Sequence, residues 1–552
     1  MSRAPVKRRK QPIAAPAARA VPNKILPWTE RHSLLIAVVL VVAASIRIVA
    51  TYHVFNHTSD EPAHIACGME WLDKGVYQWE PQHPPLARVA AAVGPYLSGR
   101  RSQNTPKTQL FAMSKEGAAI LYDGHRYDRT LALARLGILP FFWVACAVVY
   151  WWGVRYFGRA VAVAAVFLFS FLPTILGHAA LATTDMALTA TMGAAFVAGA
   201  VWLKQPTILK AVWFGVWSGL MVLSKFSALA FFPASVALAL AWYFYCERTG
   251  AGLIWAAARV RLPSFCLAVA AGMVIVWAGY RFSFGDSGLG HLRLPAPELF
   301  AGIRQVKGHN AAGHPSYFLG ARSDQGFLFF FPVALAVKTP LAFLILLAAL
   351  AAPALRKQFR GESIGIPLAF SAAILAVGMS SKINIGVRHI LPVYIGLTMV
   401  SAVALVRLVN LSEARKWLKV AVAVLLVWFS ASSLWSHPDY LPYFNELAGG
   451  EPEKILADSD LDWGQDLKRL STRLHEAGAT DVIFDKYIIG DWEKEHGFPR
   501  IHMMKKDTPS YGWNAIGVGL WKESRLVIWP DSIKPHERVG KSILLWYFPP
   551  PQ

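Results

Sequence analysis

Charge is scarce in this chain and cysteine scarcer: 16% of the 552 residues are Asp, Glu, Lys or Arg, and four are Cys. With 55% hydrophobic residues and a mean hydropathy of +0.37, so little charge excludes an ordinary soluble protein and points to a polytopic membrane protein. Cys146, Cys246 and Cys266 fall in or beside apolar runs and only Cys67 lies in a polar loop, so no disulfide framework is implied. Acidic residues are fewer than basic ones, 34 against 55, for a formal net charge of +21. Such an excess can mark a nucleic-acid binder, but no recognition motif accompanies it and nucleic acid is not expected as a partner. No HExxH, P-loop or paired CxxC occurs, and there is no internal repeat. The run from Asp458 to Asp466, DSDLDWGQD, fails as a calcium loop, which needs glycine at its sixth position and glutamate at its twelfth. Trp463 and Arg469 stand there instead.

What the chain has is apolar runs. A hydrocarbon core ~30 Å thick needs about 20 apolar residues per helix. That ruler gives about eleven spans, near Ser33–Tyr52, Leu131–Trp152, Ala160–Leu176, Met186–Leu203, Thr207–Leu223, Ser227–Cys246, Pro263–Tyr280, Phe327–Ala352, Ile364–Met379, His389–Val406 and Trp417–Trp435. The first has no small-residue cleavage site and reads as an uncleaved anchor. Residues 1–32 form a basic, Pro/Ala-rich tail with the composition of a disordered segment. Placing that tail in the cytoplasm puts Arg155, Arg159, Lys204, Lys210, Arg248, Arg259, Arg261, Arg356, Lys357, Arg360, Arg407, Arg415, Lys416 and Lys419 on the same side, as the positive-inside rule requires. An odd number of spans then sends the C-terminal segment outside. Between Lys210 and Glu247 the only charge is Lys225, at the turn of a hairpin facing outward.

The expected architecture is an α-helical membrane domain over 33–436, with outer loops at about 53–130 and 281–326, followed by a small extracytoplasmic α/β domain over 437–552. In that last part, strand-like runs lie at Asp481–Ile488, Asn514–Leu520 and Ser542–Phe548. An amphipathic helix starts at Asp462, with Gln465 completing a capping box.

The outer ends of the spans collect a distinctive polar set: Asp60 and Glu61 after the first, Arg135 near the second, His178 and Asp185 between the third and fourth, Lys225 at the hairpin, and Arg388 with His389 before the tenth. Charges at a membrane boundary are costly, so several at one level imply a shared cavity. Carboxylates with cations suit transfer from an activated phosphate: a carboxylate takes the acceptor's proton while Arg and Lys neutralise the departing phosphate. Each has a bland alternative. Asp60-Glu61 can be a solvated loop pair, Asp185 a helix cap, Lys225 a snorkelling cation, Arg388 an interfacial anchor and His83 a turn residue before Pro84-Pro85. Lys338 lies inside an apolar run and needs a partner or a polar cavity.

Asp60-Glu61 after one span, His83-Pro-Pro-Leu, Thr184-Asp185, Ser224-Lys225, and Asn384 to Pro392, NIGVRHILP, together resemble the GT-C glycosyltransferases. The nearer likeness is to bacterial members similar to protein O-mannosyltransferases and to the aminoarabinose transferase that modifies lipid A. The resemblance implies inverting transfer of a sugar from a polyprenyl-phosphate donor at the outer face of the plasma (inner) membrane. Under it Asp60 is the general base, with Glu61 and Asp185 as companion catalytic carboxylates. It matches Arg135 and Lys225 to substrate-binding positions, and on the reading of the residues His83, Lys338, Arg388 and His389 complete the expected substrate-binding set. The acceptor, whether lipid, glycan or protein, and the sugar stay open; membrane lipids are the other partners. No metal site is assigned and the cofactor is unknown, with a divalent cation left open, because Gln82 and His83 stand where the aminoarabinose transferase has an acidic residue and lysine. The alternative function is a transporter or flippase for a lipid-linked glycan precursor, which typically carries internal repeats.

Overall fold

The computed structural model describes residues 27–290, 292–351, 364–412, 415–485, 488–523 and 527–551. Most of the basic tail lies outside the described residues, as do Arg356, Lys357 and Arg360.

Among the described residues seven helices are long and apolar enough to cross a membrane: Ser33–Ala50, Tyr127–Tyr156, Asp185–Lys204, Ala228–Glu247, Ala251–Gly279, Val393–Ser412 and Lys416–Trp435. Two bent pairs, Arg159–Ser170 with Pro173–Ala179 at 65° and Phe330–Lys338 with Leu341–Ala349 at 110°, bring the number to 9 if each is one span. The remaining two expected segments are the shorter apolar helices Ile208–Val222 and Gly365–Met379, so length and apolarity by themselves support 7 to 9 of the eleven expected spans. Proline explains the breaks. Pro173 and Pro340 each stand at the joint of a bent pair, where a missing N–H and a fixed φ interrupt the helical ladder. Pro392 likewise separates the helix at Val393 from a short turn, Val387–Ile390, so Arg388 and His389 sit ahead of the span. Two expected inner-loop assignments shift as well. Arg259 and Arg261 lie within the helix Ala251–Gly279, and Arg407 is buried within Val393–Ser412.

The loop after the first span folds into helices Glu61–Met69, Pro85–Leu97 and Ala112–Tyr122. Pro62 and Pro85 fall in the first turns of the first two, where an amide hydrogen has no partner to lose. The first lies so close on Ala112–Tyr122 that a Cβ at Gly117 would fall 1.7 Å from the Pro62 carbonyl oxygen. A second segment between spans carries hairpins β1 (Phe284–Asp286) with β2 (Arg293–Pro295) and β3 (Ser316–Phe318) with β4 (Ala321–Ser323), around a helix at Pro297–Ala312.

Beyond the last span, β5 (Asp481–Phe484), β6 (Arg500–His502), β7 (Gly512–Gly517), β8 (Glu537–Val539) and β9 (Ile543–Phe548) form one mixed sheet in the order β6-β5-β7-β9-β8. β5 runs parallel to both neighbours, and β9 is antiparallel to β7 and β8. Leu467, Leu470 and Leu474 of the helix Leu467–Glu476 pack on Val482, Phe484 and Leu545 of the sheet. The expected capping box does not form. The Oδ1 of Asp462 accepts the Gly464 N–H and the Oε1 of Gln465 accepts the Trp463 N–H, so both side chains close turns before the helix begins.

Candidate active site

Three loops and one helix start converge where the membrane domain meets the C-terminal segment. Asp60 ends the loop after the first span and its side chain remains 39% exposed, while Glu61 beside it is wholly buried. The two adjacent carboxylates therefore face different surroundings. Glu61 Oε1 and Oε2 accept from Arg135 Nε at 2.8 Å and Nη2 at 2.9 Å, and also from the backbone N–H groups of Ala182 (2.9 Å) and Thr58 (2.8 Å). Arg135 gives its remaining donors to the carbonyls of Phe55 and Asn56. Burial works to raise the Glu61 carboxyl, but the guanidinium and the donated hydrogen bonds outweigh it and hold the group below its ordinary value. Glu61 and Arg135 form a strut between the loop after the first span and the second and third spans, their hydrogen bonds running mainly to each other and to backbone groups.

Asp185 is the first residue of its helix. Its side chain does not cap that helix; Oδ1 accepts from Lys225 Nζ at 2.6 Å, and Oδ2 lies 3.9 Å from Arg388 Nη1. The same Nη1 donates to Asp60 Oδ2 at 3.1 Å. Lys225 thus neither snorkels nor faces lipid, and Arg388 is buried, not an interfacial anchor. Four charges, two of each sign, make one connected group. His389 sits half-buried within electrostatic reach of Lys225, Arg388 and Asp185. Buried His178 points its ring edge at Trp463, with no hydrogen-bond partner for Nδ1 among the described residues.

His83 belongs to a neighbouring network built around buried Arg88. Its Nδ1 contacts Glu80 Oε2 at 3.1 Å and Arg88 Nη2 at 3.2 Å, and its ring meets that of His64 edge-on. Arg88 also bonds His64, Tyr77 and the Glu80 carboxylate. Burial lowers the His83 imidazole below its usual value against the opposing pull of Glu80. Sequence reading missed Arg88 and Glu80; a Glu three residues before His83 and an Arg five after it, one turn into the following helix, was the available signal.

Lys338 finds its partner away from this cluster. Its Nζ donates to the Leu441 carbonyl at 2.7 Å and the Asp460 carbonyl at 2.5 Å and lies over the Phe444 ring. It ties the bent span to the segment after the last one.

That segment supplies what the sequence reading did not place in the site. Ser459 Oγ accepts Arg388 Nε at 2.9 Å and donates to the Ile385 carbonyl. Asp460 Oδ1 accepts the Val387 N–H at 3.0 Å, and the Trp463 ring lies 3.9 Å beneath the Arg388 guanidinium. Gly386 has φ +128°, and a Cβ there would sit 2.7 Å from Ser459 Oγ, so only glycine allows this approach. On the other side Ser59 N–H bonds the Trp463 carbonyl at 3.1 Å, and Asn56 bonds Gly464 and Leu467. Half-buried Asp458 completes the wall. Burial pushes its carboxyl up to about 7, with Arg388 opposing and Asp60 and Asp460 reinforcing the rise. Among the described residues no group of three or more His, Cys, Asp or Glu side chains is arranged to hold a metal ion.

This fold, a helical membrane domain with a C-terminal mixed-sheet module packed against charges at the ends of its spans, is shared with a solved structure. The particular likeness is to the crystal structure of ArnT, the aminoarabinose transferase, from Cupriavidus metallidurans bound to undecaprenyl phosphate. It has a TM-score of 0.50 and 13% identity, covering 93% of this chain and 99% of that one. The oligosaccharyltransferase of Archaeoglobus fulgidus in its apo form is more distant, with a TM-score of 0.43 and 14% identity, covering 75% of this chain and 56% of that one. No family model and no curated protein matches the sequence.

Proposed function

We propose that the chain is a glycosyltransferase that moves a sugar from a polyprenyl-phosphate donor to a hydroxyl or amine acceptor on a lipid, glycan or protein, at the outer face of the plasma membrane, with inversion. The observation that carries this reading is the sorting of the charges. Glu61 and Arg135 are buried against each other and Lys338 donates to two backbone carbonyls, whereas Asp60 stays partly open beside Arg388 and the Asp185–Lys225 pair. The likeness to a structure bound to undecaprenyl phosphate supports a lipid-phosphate donor of the same chemical class.

In the reaction so proposed, the acceptor oxygen or nitrogen attacks the anomeric carbon from the face opposite the phosphate. Asp60 takes the acceptor's proton. The bond between the anomeric carbon and the phosphate oxygen breaks with its electron pair going to that oxygen, and Arg388 and Lys225 meet the charge that develops there. Asp185 keeps Lys225 in place, and His389 and His83 line the approach. The basic inner-loop residues support a cytoplasmic N-terminus and an outward C-terminal domain over 437–552.

The test is release of polyprenyl phosphate by purified protein in nanodiscs, supplied with labelled polyprenyl-phosphate sugars and membrane extract as the acceptor source. Release by wild type and its loss in Asp60→Asn, at unchanged folding, is the expected result and excludes a transporter. A fully active Asp60→Asn protein would refute the assignment of the base.

A further inference from the structure

The C-terminal segment meets the charged group at Arg388, and there it surrounds the guanidinium. Each contact fixes a different degree of freedom. Trp463 stacks beneath at 3.9 Å and sets the plane of the fork. Ser459 Oγ takes Nε at 2.9 Å and sets its rotation within that plane, and is itself fixed by donating to Ile385. Asp460 holds the backbone at Val387. Nη1 is then the atom that reaches both Asp60 and Asp185. The Trp463 backbone carbonyl meanwhile accepts from Ser59, next to the Asp60 carboxylate. One residue thus sets the position of the cation with its ring and of the base's loop with its carbonyl.

Resting on the function proposed above, we infer that Trp463 and Ser459 are positioning residues of the transfer reaction, holding Arg388 so that its fork, with Nη1 on Asp60, spans the proton acceptor and the departing phosphate. The segment after the last span is then part of the catalytic machinery. A guanidinium presents five donors in a rigid fork, and its value to a transition state depends on which donors point at the reacting atoms. Left on a single flexible side chain it would pair with Asp60 and Asp185 in several geometries. Stacked and pinned at Nε, it keeps one. The run DSDLDWGQD, unfit as a calcium loop, thereby gains a role: its Ser and its second Asp act by hydrogen bonding and its Trp by stacking.

A double-mutant cycle on polyprenyl-phosphate release tests this. Trp463→Leu is expected to lower kcat/KM by about 10-fold, in keeping with loss of a desolvated cation–π contact. Trp463→Phe, which keeps a ring beneath Arg388, should stay within about 3-fold of wild type. In an Arg388→Lys background, which removes the planar fork, Trp463→Leu should add less than about 2-fold, because residues acting as a unit are non-additive. Ser459→Ala serves as a second probe if Trp463→Leu folds poorly, and should show the same dependence on Arg388. Full additivity with Arg388→Lys, or a Trp463→Phe protein as impaired as Trp463→Leu, would overturn the inference while wild-type release still upheld the proposed function. Absence of release by wild type would instead overturn the function on which the inference rests.

Discussion

Two carboxylates adjacent in sequence are assigned opposite tasks, and a single amide substitution at each separates them. Glu61→Gln preserves shape but turns one acceptor oxygen into a donor, facing N–H groups from Arg135, Thr58 and Ala182 that are already donating. It also leaves the Arg135 guanidinium, 1% exposed, without a counter-charge. Removing one partner of a buried ion pair costs about 3 to 5 kcal/mol. Asp60→Asn is far milder: the side chain is 39% exposed and its ion pair is to Arg388, so a cost of about 1 kcal/mol or less is expected. Thermal unfolding in nanodiscs at one fixed scan rate reads the difference, because apparent midpoints of proteins that unfold irreversibly depend on scan rate. Glu61→Gln should unfold at clearly lower temperature, with transfer surviving in the fraction that remains folded. Asp60→Asn should unfold like wild type and transfer nothing. A Glu61→Gln protein as stable as wild type but inactive would show that Glu61 takes part in the chemistry, and the division of labour would fall.

Two further substitutions probe the junction. Lys338→Met should leave the Leu441 and Asp460 carbonyls without their donor and destabilise the protein by about 2 kcal/mol or more, seen in the same unfolding assay; a drop in kcat at unchanged stability would return Lys338 to the substrate. Asp458→Asn tests a raised carboxyl. An ordinary carboxyl near 3.9 in the unfolded chain against about 7 in the folded protein means the folded state binds more protons across that window. Wild-type stability therefore falls as pH rises from about 4 to 7, and the cost persists above it. Asp458→Asn should raise the unfolding temperature at pH ~8 and have little effect at pH ~4, and an equal effect at both would refute the linkage.

The membrane domain was legible because apolar runs about as long as a bilayer core are an unambiguous signal, and because each expected segment met a helix or a bent pair. Breaks were not. Lys338-Thr-Pro340 reads as one run by hydropathy, and the 110° bend follows from a proline whose effect depends on what packs around it. Within the site, residue type and sidedness brought Asp60, Asp185, Lys225 and Arg388 to one level, and the structure joins them by distances of 2.6 to 3.9 Å. The same criterion also gathered Glu61, Arg135 and Lys338, whose bonds run to each other or to backbone groups, a difference in partners that residue type and sidedness do not carry. Ser459 and Trp463 escaped because they lie far along the chain from Arg388, and no periodicity links a loop to a guanidinium.

Charge accounting is consistent with the reaction proposed for this group. Asp60, Asp185, Lys225 and Arg388 sum to zero. A polyprenyl-phosphate sugar is a phosphodiester with one negative charge, and the phosphate monoester that leaves carries two. If Asp60 becomes neutral by taking the acceptor's proton, the total is the same before and after, so the protein need not supply net charge during turnover. What changes is where the charge sits: it passes from Asp60 to the phosphate. A cation fixed on either one would favour only one end of the step, and catalysis depends on interactions that strengthen as charge develops. Lys225 is committed to Asp185 at 2.6 Å, whereas Arg388 holds Asp60 at 3.1 Å with one nitrogen and still has Nη2 in its fork. A pinned, multi-donor cation beside the base meets that need, and a lone ammonium in its place would not.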